Sequence, residues 1–109
     1  MSTVLAGSLL GREAEDVRVL DLSLTGCLVR CRTPLDCGAI RDLRLLLGGG
    51  GPLTAKVRVR DVSRDGSAAP GETLFLTGLE FLALPAREAL RLRVFLDAAR
   101  RRARGSPPR

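Results

Sequence analysis

Six runs of strand length, separated by turn-forming residues at intervals of roughly ten positions, fill the sequence from Thr3 to Leu84. At Pro85 the period changes. The clearest run is LTAKVRVRDV, residues 53–62, where Val57 and Val59 alternate with Lys56, Arg58 and Arg60, so one face is dry and the other wet. TVLAGSLL (3–10) and VRVLDL (17–22) flank the charged GREAED and read as a hairpin. GCLVRCR (26–32) is closed by Thr33, Pro34, Asp36 and Gly38. IRDLRLLL (40–47) sets Leu43, Leu45 and Leu47 on one face and stops at GGGGP, while TLFLTGLEFLAL (73–84) carries Gly78 as a bulge or close-approach point.

Beyond Pro85, which suits the first position of a helix, Leu92, Phe95, Leu96, Ala99 and Ala103 recur at helical spacing and make one apolar stripe. The fold expected from this order is all-β: a small six-stranded antiparallel barrel, its end covered by one C-terminal α-helix. Residues 1–99 form the barrel and the helix that begins near 85. Residues 100–109 are a basic helix end and a disordered GSPPR tail. The helix stripe can pack on the barrel, on a protein partner or on a second copy.

A length of 109 residues suits a single domain with a modest core. No apolar run approaches the ~18 to 20 residues needed to span a bilayer, and no apolar h-region follows a charged start, so a soluble, cytoplasmic protein is expected. Cys27, Cys31 and Cys37 do not fit a disulfide framework. Cys27 and Cys31, four apart on a strand, stand roughly 13 Å from each other, too far for a disulfide or a shared zinc ion. With no histidine in the chain, a metal site is not expected.

The net charge of +6 is unevenly placed, since Arg100, Arg101, Arg102, Arg104 and Arg109 supply five of those charges and the body is close to neutral. A basic tail of this kind suits nucleic acid, an anionic membrane surface or an acidic protein, or simply solubilises a terminus. Three Phe and no Trp or Tyr leave no stacking platform for single-stranded nucleic acid, which argues against that partner. GGGG at 48–51 lacks the Lys-Ser/Thr of a phosphate loop and reads as a hairpin tip. Catalysis is not expected either, because Ser23 has no visible base and no paired carboxylates mark a cleft.

The stretch DLSLTGCLV, residues 21–29, breaks the strand pattern, placing Asp21, Ser23 and Gly26 in one short turn between the apolar halves. Asp and Gly are poor strand residues, so their presence requires a reason. One reason is a local side-chain-to-backbone turn with Gly26 as a bulge. The other is a ligand site.

Asp21-x-Ser23-x-x-Gly26, followed by PLDCG, amphipathic strands, Gly78-Leu79-Glu80-Phe81 and a terminal helix, resembles the PilZ domain family over about residues 3–97. The resemblance implies a bacterial receptor module for cyclic-di-GMP, with no further cofactor. Asp21 would accept hydrogen bonds from guanine N–H groups, Ser23 would donate to a phosphate oxygen, and Gly26 would allow positive φ and close backbone approach. The family's second element, an R-x-x-x-R clamp upstream of the Asp, has no match here: the nearest arginines are Arg12 and Arg18, six apart and flanking the expected hairpin turn. Binding without the clamp is expected to be weak or assembled from other arginines such as Arg30, Arg58 or Arg60, whereas Arg87/Arg91 and Arg100/Arg104 mark a solvated helix face. A site without the clamp leaves two further readings, a degenerate adaptor that acts only through a protein partner, and a basic-tailed nucleic-acid-binding barrel.

Overall fold

The computed structural model describes residues 2–11, 14–48 and 51–104. Six strands precede one helix: β1 (Ser2–Leu10), β2 (Glu15–Leu22), β3 (Gly26–Cys31), β4 (Ile40–Leu45), β5 (Leu53–Arg64), β6 (Phe75–Ala83) and α1 (Ala86–Arg104). The strands close into an antiparallel barrel in the order β1-β2-β3-β6-β5-β4, with β1 pairing to both β2 and β4. Closure leaves no sheet edge exposed, which matters for a chain whose strands are this rich in Val and Leu.

The period-two pattern becomes the barrel's inside and outside. Val19, Leu22, Val29, Leu43, Leu45, Leu53 and Val57 are fully buried. Their neighbours in sequence, among them Arg18, Leu28, Arg44, Lys56 and Arg58, fall on the outer face, because successive side chains on a strand point to opposite sides. Cys27 and Cys31 point inward with the apolar set, and Cys37 is exposed. Among the described residues the only buried hydroxyl is that of Thr77, which lies 3.3 Å from Cys31 Sγ and so has a partner.

α1 follows from Pro85, whose carbonyl accepts the Ala89 N–H at 2.9 Å, so the proline stands just outside the first helical residue. Glu88 in the first turn suits the positive end of the helix dipole. Leu92 and Leu96 join the barrel core, Phe95 packs beside them, and the opposite face leaves Leu90 and Val94 exposed. Helix and barrel are therefore one hydrophobic unit. Among the described residues, no helix is long and apolar enough to cross a membrane.

Arg91 corrects the expectation of a solvated arginine pair on this helix. Its guanidinium donates to the Gly51 carbonyl at 2.6 Å and to the Pro52 carbonyl at 3.3 Å, tying α1 to the β4–β5 connection. Gly48 and Gly51 in that connection have φ of 77° and 82°, a left-handed conformation that glycine adopts without a Cβ penalty. Gly49 and Gly50, the GSPPR tail and Arg12 lie outside the described residues.

Two irregularities in register set up the outer face. Val19 faces Val29 and Asp21 faces Leu28, so Leu20 is an extra residue in β2. Val59 faces Leu79 and Asp61 faces Gly78, so Arg60 is an extra residue in β5. A bulge of this kind shifts the residues after it and re-aims their side chains. Gly78, expected as a bulge or close-approach point, is the residue opposite the second bulge rather than the bulge itself.

Candidate functional site

The β2–β3 turn is shorter than the sequence suggested. Asp21 and Leu22 belong to β2, Gly26 opens β3, and only Ser23, Leu24 and Thr25 lie between the two strands. The Ser23 N–H donates to the Gly26 carbonyl at 2.9 Å, and the Thr25 N–H donates to Ser23 Oγ at 3.2 Å. Ser23 Oγ also sits 3.0 Å from Thr25 Oγ1 and 3.3 Å from the Gly26 carbonyl. The hydroxyl thus closes its own turn. Because the Gly26 carbonyl keeps the Ser23 N–H, the hydroxyl can turn its proton to another acceptor without orphaning a buried group.

Gly26 does a different job from the one expected. Its φ is not positive, unlike that of Gly38, Gly48, Gly51 and Gly71. A Cβ at position 26 would instead overlap the Leu79 carbonyl oxygen. Glycine is needed there so that β3 and the turn can lie against β6, where the Phe81 N–H donates to the Thr25 carbonyl at 2.9 Å.

Beside this turn the outer surface of β2, β3, β6 and β5 dips into a concavity of about 470 Å³, lined by Asp21, Ser23, Gly26, Leu28, Arg60 and Asp61, with Gly78 and Glu80 from β6. Its floor is a cross-strand row, because Asp21 pairs with Leu28, Leu28 with Gly78, and Gly78 with Asp61. Leu28 offers an apolar patch and Gly78 offers bare backbone. Carboxylates stand at both ends, and Arg60 lies beside the row, its Nη1 3.2 Å from Glu80 Oε1. That ion pair is exposed on both sides and so is weakly held.

A family model described as the PilZ domain matches residues 4–98. The chain belongs to the PilZ domain family. Solved structures agree on the fold. The PilZ domain of YcgR from Escherichia coli, solved with c-di-GMP, superposes with a TM-score of 0.71 at 16% identity, covering 94% of this chain and 89% of that one. MrkH from K. pneumonia superposes with a TM-score of 0.77 at 18% identity, and its apo state with 0.76 at 20%. This PilZ domain spans 48% and 50% of those two MrkH chains. Among curated proteins no match was found.

Within the PilZ frame, Asp21, Ser23 and Gly26 border one concavity, so the barrel gathers the three residues singled out in the sequence. Arg18 sits elsewhere. It lies inside β2 rather than at the hairpin turn, pairs across to Arg30, and lines a second, larger hollow with Arg30, Arg32 and Arg41. Arg30 is engaged, its Nε donating to Asp65 Oδ2 at 2.6 Å. Asp65 also accepts the Ser67 hydroxyl at 2.6 Å and the Ser67 N–H at 2.9 Å. Those bonds, the hydroxyl foremost, hold the Asp65 carboxyl below its ordinary range. Of the arginines considered as substitutes for the clamp, Arg60 lines the concavity, and Arg58 stands on the same outer face opposite Glu80.

Beneath the site Cys27 points into the core. Burial pushes its thiol up to about 12, and the Asp21 carboxylate adds to the rise, so Cys27 stays protonated and unreactive at neutral pH. Asp61 was not singled out from the sequence. The signal was present, since Val59-Arg60-Asp61-Val62 puts two polar residues between two apolar ones where strict alternation allows one. In β2 the extra residue is apolar, so Val19-Leu20-Asp21-Leu22 carries one polar residue rather than two.

Proposed function

We propose that this PilZ domain is a regulatory module of cyclic-di-GMP signalling that binds the dinucleotide on the outer face of its barrel, against Asp21, Ser23 and Gly26. One observation carries the reading: the three residues of the D-x-S-x-x-G motif border a single open concavity that also contains an arginine. The YcgR domain, similar in fold, was solved with this ligand. Asp21 accepts guanine N–H groups, the Ser23 hydroxyl turns from its own loop to a phosphate oxygen, and Leu28 offers an apolar surface to a purine face. Arg60 exchanges Glu80 for a phosphate, an exchange favoured because an exposed ion pair is worth little. The role is regulatory rather than catalytic.

The consequence of binding lies at one end of the barrel. The β2–β3 turn, the β4–β5 connection and the start of α1 all sit at that end, so a ligand on the turn alters the surface shared with the helix. A protein partner reading that surface would sense the nucleotide.

A second reading, a constitutive adaptor that binds no nucleotide, draws support from the turn itself, because the Ser23 hydroxyl is already satisfied within it and Arg60 already has a partner. Isothermal titration of the purified chain with cyclic-di-GMP, repeated on Asp21→Ala, separates the two. Saturable micromolar binding that the substitution removes supports the receptor. No heat from the native chain at hundreds of micromolar ligand overturns it in favour of the adaptor.

A further inference from the structure

Both bulges in the site do the same thing. In β2 the extra residue Leu20 is followed by Asp21, and in β5 the extra residue Arg60 is followed by Asp61. The two strands flank the central pair β3 and β6 on opposite sides, and the two aspartates occupy the two ends of one row, Asp21, Leu28, Gly78, Asp61. Asp61 reaches back along that row: its Oδ1 lies 2.8 Å from where a Cβ on Gly78 would be, so its carboxylate covers the glycine. The row is three strand spacings wide, about 14 Å between the outer Cα atoms, and the inward reach of Asp61 narrows the gap between the carboxylates.

Among the described residues the Asp61 carboxylate has neither a hydrogen bond nor an ion pair, although Arg60 precedes it and spends its guanidinium on Glu80. A carboxylate in that state is an acceptor with both oxygens available. A cyclic dinucleotide of guanine has two purine edges, each carrying an N1–H and an N2–H2 donor, and therefore calls for two such acceptors. The D-x-S-x-x-G motif contains one.

We propose that Asp61 is the second guanine-edge acceptor of this site, so that Asp21 and Asp61 each take one base and together select guanine over adenine. The inference rests on the reading of the concavity as the cyclic-di-GMP site. Selectivity follows from the chemistry of the edge. Adenine presents a lone pair at N1 and has no N2 amino group, so a carboxylate facing it meets an acceptor instead of two donors, an arrangement that repels the wrong base as well as favouring the right one. Gly78 is part of the device, since any side chain there would displace the Asp61 carboxylate from the floor.

The test is titration of the full chain with cyclic-di-GMP and with cyclic-di-AMP, on the native protein and on Asp61→Asn, Asp61→Glu and Asp21→Ala, with circular dichroism verifying each fold. Asp61→Asn keeps the shape and loses one acceptor and the charge. It is expected to weaken cyclic-di-GMP binding by about tenfold to a hundredfold, the worth of a hydrogen bond to a charged group. It is also expected to narrow the preference for guanine over adenine, which a merely structural role would leave unchanged. Asp61→Glu, which keeps the carboxylate, is expected to retain that preference. Native-like affinity and selectivity in Asp61→Asn, together with loss of binding in Asp21→Ala, overturns the Asp61 role and leaves the site reading standing. A native chain that binds neither dinucleotide overturns both.

Discussion

The Leu79 carbonyl oxygen stands so close to Gly26 that a Cβ on Gly26 would lie well inside contact distance of it. The last residue of the D-x-S-x-x-G motif is thus a packing residue of the β3–β6 seam, whatever it does for a ligand. Gly26→Ala must push β6 outward or twist the turn, a strain of the overpacking kind worth roughly 1 to 3 kcal/mol. A lower urea midpoint with an unchanged slope is the expected outcome, and a midpoint equal to that of the native chain would show that the seam yields freely.

The helix anchor can be separated from the helix charge. Arg91 bonds the Gly51 and Pro52 carbonyls, while Arg87, one turn earlier on the helix, is exposed. Arg91→Ala is expected to cost on the order of 1 kcal/mol and to speed amide exchange at Gly51 and Leu53, with Arg87→Ala nearly neutral. Equal effects from the two substitutions would mean that charge, not the carbonyl contact, is what the helix supplies.

Cysteine chemistry offers a check on burial. Cys37 is exposed and Cys27 is held protonated with its thiol near 12, so a thiol reagent at pH 8 should modify Cys37 in the native chain and spare Cys27 until denaturant is added. The same shift makes a linkage statement. Because the folded thiol keeps its proton after the unfolded thiol, with an ordinary value of 9.0, has lost it, the contribution to stability is intact below pH 9 and is lost as pH rises toward about 12. Cys27→Ser or Cys27→Ala should flatten the alkaline limb of a thermal-stability profile.

At the other end of the pH scale the group to watch is Asp65. Its carboxyl is held down by the Ser67 hydroxyl and N–H and by Arg30, so it stays ionised in the folded chain below the ordinary value of 3.8. The unfolded chain takes up the proton first. The stabilising contribution is present above that value and fades as pH falls through the depressed one. Asp65→Asn is therefore expected to be less stable than the native chain at neutral pH and to lose less on acidification. Parallel profiles from pH 6 to pH 2 would remove Asp65 from the acid response.

Most of the barrel could be read from alternation because each strand carries the inward-outward rule in its own residues: Val57 and Val59 are buried in the structure and Lys56 and Arg58 are not. The helix was legible for the same local reason, through Leu92 and Leu96. What resisted reading depended on a second strand. That Gly26 must lack a Cβ follows from the carbonyl of Leu79, which lies 53 positions downstream and is brought beside Gly26 because the β3–β6 pairing sets Gly26 opposite Glu80 and Cys27 opposite Leu79. Arg91 read as a solvated residue because its acceptors are backbone carbonyls, which have no sequence signature. Asp61 depended on the bulge at Arg60, a one-residue shift that changes the face of everything after it. Asp21 stood out because Asp and Gly are poor strand residues, and its spacing to Ser23 and Gly26 matched a family pattern.

The claim that the outer face around Asp21 is a cyclic-di-GMP site is met most directly by following backbone amide resonances as the dinucleotide is added. Saturable shifts confined to Ser23, Thr25 and Gly26, to Leu28, and to Asp61 and Gly78–Glu80 are the expected result. A spectrum unchanged at millimolar ligand, or shifts confined to the second hollow around Arg18, Arg32 and Arg41, would contradict it.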